Sequence, residues 1–148
     1  MILVRNLRLY RRVADIVRKF DALNKVMVPG YLSDSEYQWV LKNSKAVVAV
    51  TNREYTMLSA IWEAIGFERP FIASETKAIR SVVGDYPYLF KLSNSALSKT
   101  LNTCLYESDI DLISKPVINR LKKLSLESIE NLKNLLKTLA PYPAAMRT

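Results

Sequence analysis

The chain of 148 residues contains no histidine, one cysteine and only three glycines. The lack of histidine excludes His-based catalytic triads and His metal sites, and a single thiol excludes an internal disulfide and a thiolate zinc site. We therefore predict no metal, no cofactor and a reducing compartment, the cytoplasm. Nothing near Cys104 in the sequence would stabilise a thiolate, so we predict a buried apolar residue there rather than a nucleophile.

Long apolar runs are also missing. The uncharged apolar stretch near Ala46 is far too short to cross a bilayer, and the start reaches Arg5 at once, so we expect no signal peptide. Apolar residues still make up 49% of the chain, enough for a folded core. The length suits a single domain, which we place at residues 1–140, with a loosely held tail at residues 141–148.

Positive charge is concentrated at the two ends of the chain. The net charge is +8, from 22 basic and 14 acidic residues. Residues 1–30 and residues 115–148 each hold seven basic and two acidic residues, and the middle is close to neutral. Such ends favour an anionic partner, either a nucleotide phosphate, nucleic acid or an anionic membrane surface, or they are ordinary solvated surface.

Hydrophobic periodicity predicts alternating strands and helices. The predicted strands are Ile2–Val4, Lys25–Val28, Ala46–Val50, Phe71–Ala73 and Leu89–Phe90. The predicted helices are Arg5–Leu23, Ser33–Asn43, Glu54–Ile65, Lys77–Val83, Ser93–Tyr106, one that begins at Pro116 and one capped by Ser125 that runs to Leu139. This alternation predicts a Rossmann-like three-layer α/β/α fold with a parallel sheet, on which the C-terminal helices pack.

Local signals mark several helix ends and packing residues. Ser33 followed by Glu36 is a capping-box pattern, and Gly66 and Gly84 stand where helices should stop. We predict a buried strand at residues 46–50. Trp39 and Trp62 stand beside apolar neighbours on predicted helices, and we predict both in the core.

Three segments of the chain, taken in order, resemble the C-terminal, donor-binding domain of GT-B glycosyltransferases of the retaining family-4 type. They are VMVPGYLSDSEYQWVLKNSKAVVAV, WEAIGFERPFIAS and VVGDYPYLFKLSNSALSKTLN, and together they cover about Val26 to Tyr106. The resemblance implies a domain that binds a nucleotide sugar. The activity it implies is transfer of a hexose from a nucleotide diphosphate donor to a hydroxyl group.

The resemblance assigns roles to one predicted helix. Glu63 matches the second glutamate of the family's Glu-x7-Glu motif, which hydrogen-bonds the ribose hydroxyls of the donor. Eight residues earlier the chain has Tyr55, and the nearest acid is Glu54, so we expect Glu54 or Tyr55 to face the donor sugar as the catalytic candidates. Thr56 matches a family glycine, and Thr56 and Met57 would offer backbone amides to phosphate at the helix start.

A second part of the implied site follows the Pro29-Gly30 turn. Tyr31 and Leu32 match the segment that holds the nucleobase in the family, and Tyr31 would stack on the base. The family's diphosphate-neutralising Arg and Lys have no match upstream. The chain also has no room for an acceptor domain, so we expect a donor-binding half that needs a separate acceptor domain or chain.

Two other readings stay open. The chain is alternatively a non-catalytic interaction module on the same fold, which binds an anionic or protein partner. A helix at Arg5–Leu23 with a basic and an apolar face would suit peripheral membrane contact. No nucleic-acid motif is present, so we expect no nucleic-acid partner. Exposed apolar surface left by a missing partner domain would favour a homo-oligomer.

Overall fold

The computed structural model of the chain describes Met27 and residues 29–139. By its internal contacts the chain divides into two compact units, Met1–Val40 and Leu41–Thr148. Apart from Met27, the strands predicted at residues 2–4 and 25–28, the helix predicted at residues 5–23 and the tail at residues 141–148 lie outside the described residues. The assignment of residues 1–140 to one domain stays a prediction.

The second unit contains a parallel sheet of three strands within the described residues. The strands are β1 (Val47–Ala49), β2 (Phe71–Ser74) and β3 (Leu89–Phe90), in the order β1-β2-β3. Both pairs are parallel, with Val47 beside Phe71 and Ala73 beside Leu89. Each connection carries a helix, α2 (Ser59–Gly66) after β1 and α3 (Lys77–Val83) after β2. The predicted α/β class with a parallel sheet is therefore confirmed.

The strands differ in burial. All four residues of β2 are buried, as expected for a strand with neighbours on both sides. In the described sheet β1 lies at one edge, and Val48 is 46% exposed. The prediction of a buried strand at residues 46–50 is thus wrong for one face. Side chains alternate along a strand, and α2 covers only the face that carries the buried Ala49.

The start and end of α2 differ from the prediction. The helix begins at Ser59, not at Glu54, and residues 51–58 form a loop. Gly66 is the last helical residue, and the chain turns two residues later at Glu68, whose φ is +56°. The N–H of Arg69 donates to the carbonyl of Ala64 at 2.8 Å, and the N–H of Glu68 donates to that of Ile65 at 3.1 Å. This is a Schellman motif with glutamate where glycine is usual.

Side-chain caps fix the other short helices where the sequence predicts them. Glu36 and Ser33 exchange capping-box hydrogen bonds at the start of α1 (Asp34–Asn43). The hydroxyl of Thr76 caps α3, and Gly84 ends it with a φ of +69°. The hydroxyl of Ser93 accepts from the N–H of Ala96 at 3.2 Å and begins α4 (Asn94–Tyr106). The predicted capping box at Ser33, the predicted stop at Gly84 and the predicted helix after Ser93 are confirmed, whereas the cap by Thr76 was not predicted.

The last helix is longer than predicted. α5 runs without a break over Ile110–Leu139, with Pro116 and Ser125 inside it. The prediction of two helices is wrong because both residues are typical helix starts but neither must end a helix. Pro116 is the seventh residue of α5 and removes one backbone hydrogen bond within the helix, and the exposed Ser125 is tolerated in a helix interior.

The core lies around β2. Fully buried members include Ile61, Phe71, Ile72, Ile79 and Leu121. Cys104 is also fully buried, as predicted, and burial raises the pKa of its thiol. The predicted burial of Trp39 and Trp62 is wrong, since they are 66% and 41% exposed. No helix among the described residues is long and apolar enough to span a membrane.

Candidate functional site

The loop of residues 51–58 follows the carboxyl end of β1. The N–H of Thr51 donates to the hydroxyl of Ser74 at 2.9 Å, so the loop begins against the end of β2. Ser74 is 1% exposed, which makes this bond a buried attachment point. Ligands of open parallel sheets bind beyond the carboxyl ends of the strands, so this loop borders the place where a ligand is expected.

Glu54 joins this loop to the start of α3. Its Oε2 accepts the N–H of Lys77 at 3.0 Å, and its main-chain oxygen accepts the N–H of Ala78 at 2.9 Å. The hydroxyl of Thr76 accepts the next amide, that of Ile79, at 3.2 Å. The first three amides of α3 therefore have acceptors from the chain itself. The structure gives Glu54, predicted to face a donor sugar, a capping contact.

Residues 55–57 lie in the loop rather than at a helix start. Tyr55 is 81% exposed, and Nζ of Lys77 lies 5.7 Å from the centre of its ring. The N–H of Thr56 donates to the carbonyl of Arg53 at 3.3 Å, and Met57 packs against the core. The prediction that these residues begin a helix is wrong, because the first turn of α2 forms farther along the chain. Their roles in binding stay predictions.

The start of α2 differs from that of α3. The residue before it, Leu58, has an apolar side chain, which accepts no hydrogen bond, and its carbonyl accepts the N–H of Ile61 at 3.1 Å. The two amides of the helix that come before that of Ile61 belong to Ser59 and Ala60. Such amides, with the positive end of the helix dipole, favour an anion.

Glu63 lies four residues after Ser59 on α2. Residues at this spacing are neighbours on one helix face, so the exposed Ser59 and the half-buried Glu63 share a face. The opposite face, with Ile61 and Ala64, packs into the core. Sequence analysis missed Ser59. The signal that would have found it is its spacing from Glu63, once the helix start is known.

Three cations follow the three strand ends. Arg53 stands in the loop after β1, Lys77 follows β2, and Lys91 follows β3 directly. The acid nearest to the end of β2, Glu75, is bound to Arg80 at 2.7 Å. Positive charge is thus available at the carboxyl edge of the sheet. The family's diphosphate-neutralising Arg and Lys have no match upstream in the sequence, so among the described residues these three cations are the ones that remain near the strand ends.

Tyr31 and Leu32 belong to the first unit, whereas Glu54 to Glu63 belong to the second. Tyr31 is 83% exposed at a bend of the chain. Leu32 lines an apolar groove of about 460 Å³ together with Pro29 and Trp39. The exposed ring and this groove offer apolar surface of the kind on which a base stacks.

A scan against protein-family models and a search of curated proteins find no match for this chain. The resemblance to a glycosyltransferase donor domain therefore depends on the motifs quoted above. Among the described residues, no group of three or more Cys, Asp or Glu side chains is arranged to hold a metal ion.

Proposed function

We propose that this chain is the nucleotide-sugar-binding half of a glycosyltransferase-like protein of the cytoplasm, with a separate acceptor domain or chain. On this proposal the sheet is the centre of a Rossmann-like three-layer domain. The observation that carries the proposal is the start of α2, where no side chain of Leu58 competes for the first amides and where Ser59 and Glu63 share one face. It borders the carboxyl end of a parallel sheet, where nucleotides bind in such folds.

Each part of this face has a chemical role in the proposal. The carboxylate of Glu63 accepts two hydroxyl hydrogen bonds and so recognises the vicinal diol of a ribose. The amides of Ser59 and Ala60 meet phosphate oxygens, and Arg53 and Lys77 lower the cost of bringing the diphosphate to the site.

The donor sugar would extend past the loop after β1. Tyr55, which is 81% exposed and lies beside Lys77, would contact the sugar from this loop. The base-binding role that the resemblance implies for Tyr31 and Leu32, which belong to the first unit, stays a prediction. Catalysis would consist mainly of electrostatic stabilisation of the departing diphosphate. The acceptor hydroxyl would come from the separate acceptor domain or chain.

The role of Glu54 changes in this proposal. Because its carboxylate accepts the N–H of Lys77, it would hold the loop in place rather than touch the sugar. The start of α3 is then closed to a phosphate, which leaves the start of α2 as the place for it.

Calorimetric titration of the purified chain with UDP, GDP and their sugars tests the proposal. We expect saturable binding of at least one nucleotide and a loss of at least tenfold in affinity for Glu63→Gln, since a hydrogen bond to a charged group is worth about 1.5–3 kcal/mol. Glu127→Gln on α5 is the matched control and should bind like the wild type.

The 2′-deoxy nucleotide gives the specific readout. If Glu63 holds the ribose diol, the wild type prefers the ribonucleotide, and Glu63→Gln binds the ribonucleotide and deoxyribonucleotide nearly equally. A folded wild-type protein that binds no nucleotide, or a variant that keeps the full preference, would contradict the proposal.

A further inference from the structure

The second half of α5 extends beyond the core. Ile118 and Leu121 are 3% and 1% exposed, whereas every residue from 123 to 138 is exposed. At 1.5 Å per residue this exposed part is about 24 Å long. An isolated helix of this length is marginal in water, and most helical stability in proteins comes from packing of an apolar face.

One side of this segment is apolar. At 100° per residue, five large side chains fall on the side that carries Ile118 and Leu121, and we call them the α5 stripe: Leu124, Ile129, Leu132, Leu135 and Leu136, each 48–57% exposed. Lys123, Glu127 and Asn134 lie on the other side. The α5 stripe therefore continues the buried face of the helix into solvent.

We propose that the α5 stripe pairs with the same stripe of a second copy of this chain, with the two helices antiparallel. Charge permits such a pair. Residues 123–138 carry three lysines and two glutamates, and Lys123–Glu127 and Lys133–Glu130 already pair within the helix at 3.7 Å and 3.6 Å. The segment thus has three basic and two acidic residues, and two copies repel each other little.

Side-chain size explains the antiparallel direction. Ser128 lies on the same side of the helix as the α5 stripe. In an antiparallel pair centred on Leu132, Ser128 of each copy faces Leu136 of the other, and Ile129 faces Leu135. Small residues opposite large ones let the two helices approach closely and interdigitate.

The buried area reaches what a dimer needs. A half-exposed leucine or isoleucine leaves roughly 50–100 Å² of apolar surface to bury, so the ten side chains of two stripes supply roughly 500–1,000 Å². Interfaces are about 57% apolar, which gives a total of roughly 900–1,700 Å². This is within the range of weak to standard specific interfaces, so we infer a reversible dimer.

Sedimentation equilibrium of the full chain across roughly two decades of micromolar concentration tests the proposal. We expect a monomer–dimer equilibrium. Leu132→Glu should raise the dimer dissociation constant by more than about 100-fold, because it places a charge in the centre of the apolar contact. Asn134→Glu adds the same charge on the other side and should leave the constant unchanged. Circular dichroism checks that both variants stay helical.

A wild type that stays monomeric throughout would overturn the proposal and leave another protein, or residues 1–26 of the same chain, as the occupant. An equal effect of the two variants would also overturn it, since a general charge effect would then explain the loss.

Cross-linking tests the direction. The chain has one cysteine, Cys104, and it is fully buried, so an introduced thiol on α5 is selectively oxidised. Leu132→Cys should form a disulfide-linked dimer, because the antiparallel pair brings these positions together. Ser128→Cys should not, since its two copies lie about 12 Å apart along the axis, too far for a disulfide. Efficient cross-linking at residue 128 would overturn the antiparallel arrangement.

Discussion

The hydroxyl of Tyr86 connects three elements inside the core, and its removal should be costly. It accepts the N–H of Phe71, the first residue of β2, at 3.0 Å, and it lies 3.0 Å from the hydroxyl of Ser114 on α5. The Tyr86 ring stacks on that of Phe71 with centres 4.1 Å apart. All three residues are at most 3% exposed, so water cannot replace the lost partner.

Tyr86→Phe keeps the ring and deletes the oxygen. A buried polar group left without a partner costs about 1–3 kcal/mol, and the variant leaves two such groups, the amide of Phe71 and the hydroxyl of Ser114. We therefore expect Tyr86→Phe to lower the free energy of unfolding by about 2–6 kcal/mol. Ser114→Ala should cost about 1 kcal/mol, because Tyr86 then keeps the amide of Phe71.

Urea denaturation followed by circular dichroism measures these values. In the double variant no hydroxyl of Ser114 is left without a partner, so its loss should be smaller than the sum of the single losses by about 1 kcal/mol. Additive losses, or a cost of Tyr86→Phe below about 0.5 kcal/mol, would contradict this prediction. Such a result would mean that the hydrogen bonds at this hydroxyl contribute little to stability.

The same hydroxyl predicts a pH dependence. Burial raises the pKa of Tyr86 from 10.0 to about 12. The unfolded chain then loses this proton at a lower pH than the folded chain, so stability is complete below pH 10 and falls as the pH rises toward 12. One pKa unit corresponds to about 1.4 kcal/mol, so the wild type should lose stability more steeply than Tyr86→Phe between pH 10 and 11. Equal slopes would contradict the assignment.

Other predictions concern the backbone and the caps. Gly84→Ala should lower the free energy of unfolding by about 1–3 kcal/mol, since a φ of +69° with a ψ of −141° strains any residue that has a side chain. Gly66→Ala should raise the free energy of unfolding by up to about 1 kcal/mol, because Gly66 is helical and an added Cβ would meet open space. Glu54→Ala should lower the free energy of unfolding by about 1 kcal/mol. It should also speed hydrogen exchange at the amide of Ala78, whose acceptor is the main-chain oxygen of Glu54. Unchanged exchange would show that the side chain of Glu54 does not hold the loop. Pro116→Ala should raise the melting temperature by restoring a helical amide, and a lower value would contradict this.

Much of the fold was predictable because the signals are local. α3 lies where the sequence predicts it, since Thr76 and Gly84 define its ends through their own side chain and backbone. β2 was predictable from its apolar run, and the capping box at Ser33 from its spacing. In each case the residue that fixes the end stands next to the element it ends.

The errors have a common physical origin in distant contacts. The start of α2 was misplaced because the carboxylate of Glu54 binds Lys77, 23 residues away, and nothing local predicts this. Ser125 is a good cap in isolation, but α5 gains more from continuing through it. The exposure of Trp62 depends on which face of its short helix meets the sheet.

The helix that carries Glu63 was predictable from the sequence, whereas its first residue was not. Glu63 lies on α2, the helix that connects the parallel strands β1 and β2. Ser59 and Ala60 replace Thr56 and Met57 at the helix start, because a shift of the first turn changes which amides are presented. Such a shift changes the amides at the helix start without changing the fold.

Backbone amide NMR during a titration with a nucleoside diphosphate tests the central claim most directly. The account predicts the largest shifts at Ser59, Ala60 and Glu63, with smaller shifts at Arg53 and Lys77. Saturating shifts confined to other parts of the chain, or none at all from a well-dispersed spectrum, would contradict a nucleotide site at the start of α2.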